Sequence, residues 1–160
     1  MTFDELPLYE AIHDVYRLVE SPRADHWLTI DAGLLCRMIQ DHLPIGHPFR
    51  ATDMLQAWAA YGKSQTVGQY KKLELQVLVA KTHGRQCFWA NRVAGDCTGE
   101  VTTDRLLPGS RGGEYTLENC VIACSFHNTQ RNDRTVEIYL SQAKKGCDQM
   151  KLFQEEENRW

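Results

Sequence analysis

The feature that most constrains this 160-residue chain is a group of cysteine and histidine residues in its second half. Cys124 and His127 are separated by two residues at the start of a predicted helix, a spacing that lets a thiolate and an imidazole bind one metal ion. A tetrahedral zinc site needs two further ligands. Cys87 and Cys97 flank a segment with a turn signal at Asn91, so both sulfurs can reach the same ion. The sequence therefore predicts a Cys3His zinc site.

An alternative stays open, because the usual zinc signal is two C-x2-C pairs and the first pair is incomplete. Ala90 stands where its second cysteine would be expected, and Cys97 takes that role in the prediction. Cys120 is a competing ligand, but it alternates in direction with Val121 along a predicted strand, and we expect it to pack internally. In the alternative interpretation the cysteines are buried separately and His127 lies on the surface.

Composition and charge limit where the protein works and what it binds. No run of about 18 apolar residues exists, which argues against a transmembrane helix. The acidic N-terminus does not resemble a secretory signal, so we expect a cytoplasmic protein, in which reduced thiols favour metal binding over disulfides. The net charge is −3, yet residues 81–134 carry seven Lys or Arg against six Asp or Glu. This region is the least acidic part of the chain, so the global charge does not exclude DNA binding.

The pattern of predicted secondary structure changes near Gly84. Before Gly84, apolar periodicity and capping signals predict four helices. The first two cover residues 3–20 and 29–43, and the third runs from Thr52 or Asp53 to about Tyr61. The fourth covers residues 66–82 and has a capping box at its start. Short β-rich runs follow, and helix resumes at residues 125–133 and 135–145. We therefore predict a helical region at 1–84, for dimerisation, scaffolding or DNA contact, a core at 85–134, and a C-terminal helix and tail at 135–160.

Residues 87–131 resemble the zinc-containing branch of the HNH, or ββα-metal, endonucleases. The family pattern runs C-x2-C, D-H-x2-P, a Gly-Gly turn, an asparagine, and C-x2-C-N followed by a basic residue. The matching positions here are Cys87, Asp104-Arg105-Leu-Leu-Pro108, Gly112-Gly113, Asn119, Cys124-Ser-Phe-His127-Asn128 and Arg131. Each piece alone is weak, but the combination of spacings is specific. The resemblance implies an α+β fold in which the N-terminal helical region precedes a zinc-stabilised ββα-metal nuclease core.

The resemblance also implies a role for each matching residue. Asp104 and Asn128 would be the two protein ligands of a catalytic Mg2+ or Mn2+ ion, and Asn119 would fix the loop between the strands. So sparse a ligand shell suits Mg2+, which keeps several waters and accepts phosphate oxygens. The zinc centre would hold the helix that presents Asn128.

Arg105 is the departure from the family pattern, which has at this position the histidine that activates water. Arginine stays protonated and cannot accept that proton, but its fork can bind phosphate oxygens and stabilise the transition state. Some restriction endonucleases of this fold are similar in having Asp-Arg with G-x-Y, and take the activating group from elsewhere, with tyrosine a known choice. Tyr115 and His83 are the leading candidates here, Tyr70 is a third, and the sequence does not rank the first two.

Two functions follow from the resemblance. The first is a metal-dependent endonuclease that hydrolyses phosphodiester bonds of double-stranded DNA, in a restriction, phage or mobile-element setting, and acts as a homodimer. The second is a DNA-binding or regulatory module that keeps the fold but has lost cleavage together with the histidine.

Overall fold

The computed structural model describes residues 1–19, 30–66 and 72–143. The fold is mixed α/β, with helices and a two-stranded antiparallel sheet. The chain divides into two compact units, Met1–Thr82 and His83–Trp160. No helix in the described ranges is both long and apolar enough to cross a membrane. The elements are α1 (Leu6–Val19), α2 (Ala32–Asp41), α3 (Ala51–Thr66), α4 (Lys72–His83), β1 (Val101–Arg105), a 3-10 turn (Gly109–Arg111), β2 (Cys120–Cys124), α5 (Ser125–Arg131) and a helical segment at residues 136–143.

The first unit is built on the apolar faces of α1, α2 and α3. Ile12, Val15, Ile39 and Met54 are completely buried in its core, which continues to Tyr61. Helical spacing of the apolar residues produces this face, because residues three or four positions apart lie on the same side of a helix. The helical character predicted for this half of the chain is present wherever the structure describes it.

The third helix differs from its predicted bounds. It begins at Ala51 and extends to Thr66, so neither Thr52 nor Asp53 lies at its cap position. The carboxylate of Asp53 instead accepts a hydrogen bond from the backbone N–H of Arg50 at 2.8 Å. Asp53 therefore acts from inside the first turn, as the acidic residue of a capping box does.

The predicted starts of two further helices, based on local sequence signals, differ from the structure. Thr66 was predicted to begin a helix, and this is wrong because Thr66 ends α3. Its predicted capping partner, Gln69, and the base candidate Tyr70 lie outside the described residues. The second helix begins later than predicted because the side chain of Asp31 caps it, accepting a hydrogen bond from the Leu34 N–H at 2.9 Å.

The second unit contains a hairpin in antiparallel register, with Val101 opposite Cys124 and Arg105 opposite Cys120. All five residues of β2 are buried, whereas β1 has a mixed pattern of exposure. Cys120 is fully buried, which confirms that it packs internally. The strand β2 leads directly into α5, so the hairpin and this short helix form one continuous segment.

A buried histidine makes the first unit sensitive to pH. Nδ1 of His13 lies 2.8 Å from the hydroxyl of Tyr61, and burial lowers the pKa of His13, as does the positive charge of Lys81. The folded state therefore keeps this imidazole neutral when the unfolded chain, with an ordinary histidine pKa of about 6.5, becomes protonated. Stability is lost as the pH falls through that value.

We predict that His13→Gln removes part of this pH dependence. The amide can still bond the Tyr61 hydroxyl but does not titrate. The free energy of unfolding of the wild type, from urea denaturation followed by circular dichroism, should fall more steeply than that of the variant between about pH 7 and 5. Parallel profiles for the two proteins would contradict the assignment.

Candidate functional site

The structure brings the four predicted zinc ligands together. Nδ1 of His127 lies 3.5 Å from Sγ of Cys87, 3.6 Å from Sγ of Cys97 and 3.2 Å from Sγ of Cys124. All four ligand atoms are within 4.8 Å of one another. Zinc bonds of about 2.3 Å to sulfur and 2.0–2.1 Å to nitrogen place tetrahedral S and N ligands about 3.5 Å apart. This cluster could therefore hold a metal ion such as zinc.

Backbone geometry presents the ligands from three segments. Cys87 begins a turn in which the Ala90 N–H donates to the Cys87 carbonyl at 3.0 Å. Cys124 ends β2 and caps α5, where its sulfur accepts a hydrogen bond from the His127 N–H at 3.4 Å. The N–H of Cys124 in turn donates to Sγ of Cys87 at 3.3 Å. These hydrogen bonds hold the two sulfurs in place beside the imidazole of His127.

A glycine lets the third sulfur reach the cluster. Gly95 has a φ of 107°, and a Cβ at this position would lie 2.7 Å from the ring of Phe126. Only a residue without a side chain allows the loop to lie this close to α5. The loop then brings Cys97 to the cluster, in place of a cysteine at the position of Ala90.

The charge state of Cys97 bears on metal binding. Although the residue is exposed overall, desolvation raises the pKa of its thiol to about 12, and the neighbouring Cys87 and Cys124 add to the shift. Metal binding needs the thiolate form, so a bound cation would have to offset this shift. Nε2 of His127 is buried and has no hydrogen-bond partner among the described residues, so Nδ1 is the nitrogen that faces the sulfurs.

We predict that the purified protein contains about one zinc per chain. Cys124→Ser should lose the metal and lower the melting temperature, because structural zinc contributes directly to folding. Cys120→Ala is the matched control, since Cys120 is buried in the same strand and outside the cluster. Metal analysis with thermal melts before and after chelation measures both effects. A metal-free wild type with an unchanged melt would overturn the assignment.

Beside this centre lies a polar cavity of about 150 Å3. It is bounded by the end of β1, the 3-10 turn and α5. Four of the predicted catalytic residues line it, together with an arginine that the family pattern contains as a basic residue: Asp104, Arg105, Tyr115, Asn128 and Arg131.

Asp104 is almost fully buried and bound by two side chains. Its Oδ2 accepts hydrogen bonds from Nε1 of Trp89 at 2.7 Å and from Nε of Arg131 at 2.8 Å. Its Oδ1 accepts from Nη2 of Arg131, which completes a bidentate ion pair. Arg131 therefore neutralises the carboxylate inside the protein, where an unpaired charge would be costly.

Arg105 is held flat between two neighbours. Its guanidinium lies over the ring of Tyr115, 4.2 Å from the centroid, and its Nη1 donates to the carbonyl of Gly113 at 3.2 Å. A Cβ at Gly109 would lie 2.6 Å from both Nη1 and Nη2. Glycine at position 109 thus leaves room for this guanidinium, which also lies against the aromatic ring.

Asn119 closes the loop that connects the strands. Its Oδ1 accepts from the Leu107 N–H at 2.8 Å, and its Nδ2 donates to the carbonyl of Glu114 at 2.9 Å. Gly113 is required here, because a Cβ would lie 1.8 Å from the carbonyl oxygen of Leu107. The asparagine thus holds both ends of the loop that carries Tyr115.

The two leading base candidates occupy different places. Tyr115 lines the polar cavity and is partly exposed. His83 is at the end of α4, where its Nε2 donates to the carbonyl of Leu117 at 3.0 Å, and it lines a separate, open cavity of about 830 Å3.

Asn128 is in the polar cavity, where its Nδ2 donates to Oγ1 of Thr102 at 3.0 Å, so its amide oxygen is the atom that can bind an ion.

Sequence reasoning missed two contacts in this site. Trp89 was not singled out, and Arg131 was matched only to the basic residue of the family pattern. Neither pairing has a sequence signal, because Trp89 and Arg131 lie 15 and 27 positions from Asp104 and meet it only in the folded chain.

Comparisons with protein-family models, with curated proteins and with solved structures gave no match.

Gly109→Ala tests the placement of Arg105. The new methyl group would meet only the end of a flexible side chain, so we expect the fold to persist while the guanidinium is displaced. Phosphate affinity, measured by chemical-shift titration, should fall by about 10-fold, the equivalent of roughly 1.4 kcal/mol. Gly113→Ala should instead lower the melting temperature, since its Cβ meets backbone. Equal phosphate affinity in wild type and Gly109→Ala would contradict the idea that Gly109 places Arg105 for phosphate binding.

Proposed function

We propose that residues 85–134 form a ββα-metal nuclease core of the HNH type and that the protein is a metal-dependent DNA endonuclease. One observation carries the proposal. Asp104 and Asn128, which match the family pattern, line one cavity together with Arg105 and Tyr115, next to a cluster able to hold zinc. The order of hairpin and helix, β1, β2 and α5, agrees with the ββα arrangement that the resemblance implies.

The cavity fits a hydrated Mg2+ or Mn2+ ion. Oδ1 of Asp104 and the amide oxygen of Asn128 are oxygen donors of the kind that these ions prefer. A water in the liquid occupies about 30 Å3, so the volume of about 150 Å3 leaves room for an ion and several of its waters. Arg131 would share Asp104 with the ion. When bound, the metal supplies positive charge to the scissile phosphate and its leaving 3′ oxygen.

Arg105 provides the phosphate clamp in this proposal. Its guanidinium is already fixed by Gly109 and Tyr115, so it binds the non-bridging oxygens without a large loss of side-chain freedom. Preorganised charge of this kind stabilises the transition state more than the ground state, because charge accumulates on these oxygens during hydrolysis.

Tyr115 is the residue that we assign to activation of the attacking water. It lines the cavity itself, whereas His83 lines a different one. The guanidinium of Arg105 lies over its ring, 4.2 Å from the centroid. Hydrolysis would then leave a 5′ phosphate and a 3′ hydroxyl. His83 is the second candidate.

We further propose that double-stranded DNA is the substrate and that the protein acts as a homodimer. Cleavage of both strands by a single-site enzyme needs two copies. Several apolar side chains of the helical unit are exposed and could serve the contact between copies: Leu18, Leu34 and Ile45.

A second function, DNA binding without cleavage, is favoured by one specific observation. Asp104 is buried and already paired with Arg131, and Arg105 cannot accept a proton. In this case the cavity binds a phosphate of the DNA backbone through Arg105 while the fold serves as a binding or regulatory module.

A plasmid-cleavage assay with added Mg2+ or Mn2+ separates the two functions. The wild type should cut, whereas Asp104→Asn and Arg105→Gln should lose activity by at least about 100-fold. Tyr115→Phe should reduce the rate, and His83→Gln should reduce it less. Glu137→Gln, exposed on the C-terminal helical segment, is the control. Thermal melts identify variants that fail for lack of folding, because replacing Asp104 leaves Arg131 buried without its counter-ion.

The outcomes are distinct. If neither metal supports cutting of any DNA but a labelled duplex still binds, the binding module replaces the enzyme. Cutting that survives Asp104→Asn would remove this residue from the proposed metal site. Full activity of Tyr115→Phe with loss in His83→Gln would reverse the order of the two base candidates.

A further inference from the structure

Trp89 connects the turn that carries a zinc ligand to the carboxylate of the polar cavity. Its side chain is completely buried, and its Nε1–H donates to Oδ2 of Asp104 at 2.7 Å. A buried indole N–H needs an acceptor, but a backbone carbonyl would satisfy that need. Here the acceptor is the side chain of Asp104, which lines the candidate active site.

The indole is fixed from several directions. Trp89 lies two residues after Cys87, and the turn continues through hydrogen bonds from the N–H groups of Arg92 and Val93 to its own carbonyl, at 3.0 and 3.3 Å. Its ring makes edge-to-face contacts with Tyr139, at a centroid distance of 5.0 Å, and with Phe88, at 4.9 Å. Rotation of this ring would disrupt the packing around the turn, so the direction of its N–H is set by the fold.

Two donors together determine how Asp104 is oriented. Arg131 holds both carboxylate oxygens, and Trp89 adds a second hydrogen bond to Oδ2. Arg131 is itself anchored, because its Nη1 donates to the carbonyl of Arg134 and its Nη2 to that of Arg105. Oδ2 therefore has two protein donors and Oδ1 has one, which makes Oδ1 the atom able to bind a cation.

We propose that Trp89 is a positioning residue that keeps Oδ1 of Asp104 available to a divalent cation in the polar cavity. The inference rests on the proposed function, since it concerns the same carboxylate. Hydrogen bonds to the unligated part of a metal ligand orient it, and their loss commonly weakens metal binding by about 10- to 100-fold. Trp89 would act through Asp104 and would touch neither the ion nor the DNA.

The test uses the full-length, zinc-loaded protein and three variants. Trp89→Phe removes the N–H donor and keeps an aromatic ring. Phe88→Leu is the matched control, because Phe88 packs on the indole and has no contact with Asp104 among the described hydrogen bonds. Asp104→Asn removes the charge that the indole contacts. Equal zinc contents and closely similar melts establish that the variants are folded.

Two measurements are made without DNA. Binding of Mn2+ is followed by the electron paramagnetic resonance of the free ion, and we expect the dissociation constant to rise by about 10-fold in Trp89→Phe and by less than about 2-fold in Phe88→Leu. In 15N-labelled protein, the indole resonance of Trp89, assigned by its loss in Trp89→Phe, should move on addition of Mg2+. The resonance of Trp58, in the helical unit, should not, and the shift of Trp89 should vanish in Asp104→Asn.

The results separate this inference from the proposed function. If Trp89→Phe binds Mn2+ as tightly as Phe88→Leu, or if the Trp89 resonance ignores Mg2+, the positioning role is overturned even when the wild type cuts DNA. If both measurements behave as expected while no DNA is cut, the endonuclease proposal fails and the positioning role stands.

Discussion

The convergence of three sulfurs on Nδ1 of His127 is the interaction on which the second unit depends. A two-stranded sheet is only marginally stable by itself and needs packing against further structure. An ion held in the cluster would add to that packing by joining the turn at Cys87, the loop at Cys97 and the junction between β2 and α5. The cavity is built from the same pieces, because α5 carries Asn128 and Arg131 directly after this junction. Metal binding and the shape of the candidate active site are therefore two aspects of one arrangement.

The charges of the cavity explain how a carboxylate and two arginines coexist in a small space. Arg131 neutralises Asp104 in the interior, and Arg105 is the cation that is stacked on an aromatic ring toward the cavity. A phosphodiester in the cavity would meet one preorganised positive group, Arg105, and a buried carboxylate that is already paired, while the exposed Asp133 also lines the cavity. This arrangement serves phosphate binding in either proposed function, and the competition of a metal ion with Arg131 for Asp104 distinguishes them.

The sequence predicted the metal cluster well, and for a physical reason. The short spacing of Cys124 and His127 restricts the geometry of their two side chains, and spacing of this kind is typical of a metal site. The sequence also allowed the inference that Cys97 replaces the missing second cysteine of the first C-x2-C pair, since a turn separates Cys97 from Cys87. Prediction from sequence fails where the site depends on tertiary contacts. A tryptophan and an arginine that are distant along the chain contact Asp104, and no sequence periodicity indicates these contacts. Likewise Thr66 carries a capping signal but ends α3. The sequence could not rank His83 and Tyr115 as base candidates, and the structure places them in different cavities.

Cys97 makes one side of the metal cluster accessible from solvent. It is exposed, whereas Cys87, Cys124 and His127 are buried, so one ligand of the four faces solvent. An ion held here would enter and leave on that side, by exchange of a single sulfur while the three buried ligands stay in place. The same side would be the first to meet an oxidant or a competing chelator, because access to a thiolate governs its reactivity. The rate of metal exchange would thus depend on the loop at Gly95 rather than on the stability of the hairpin.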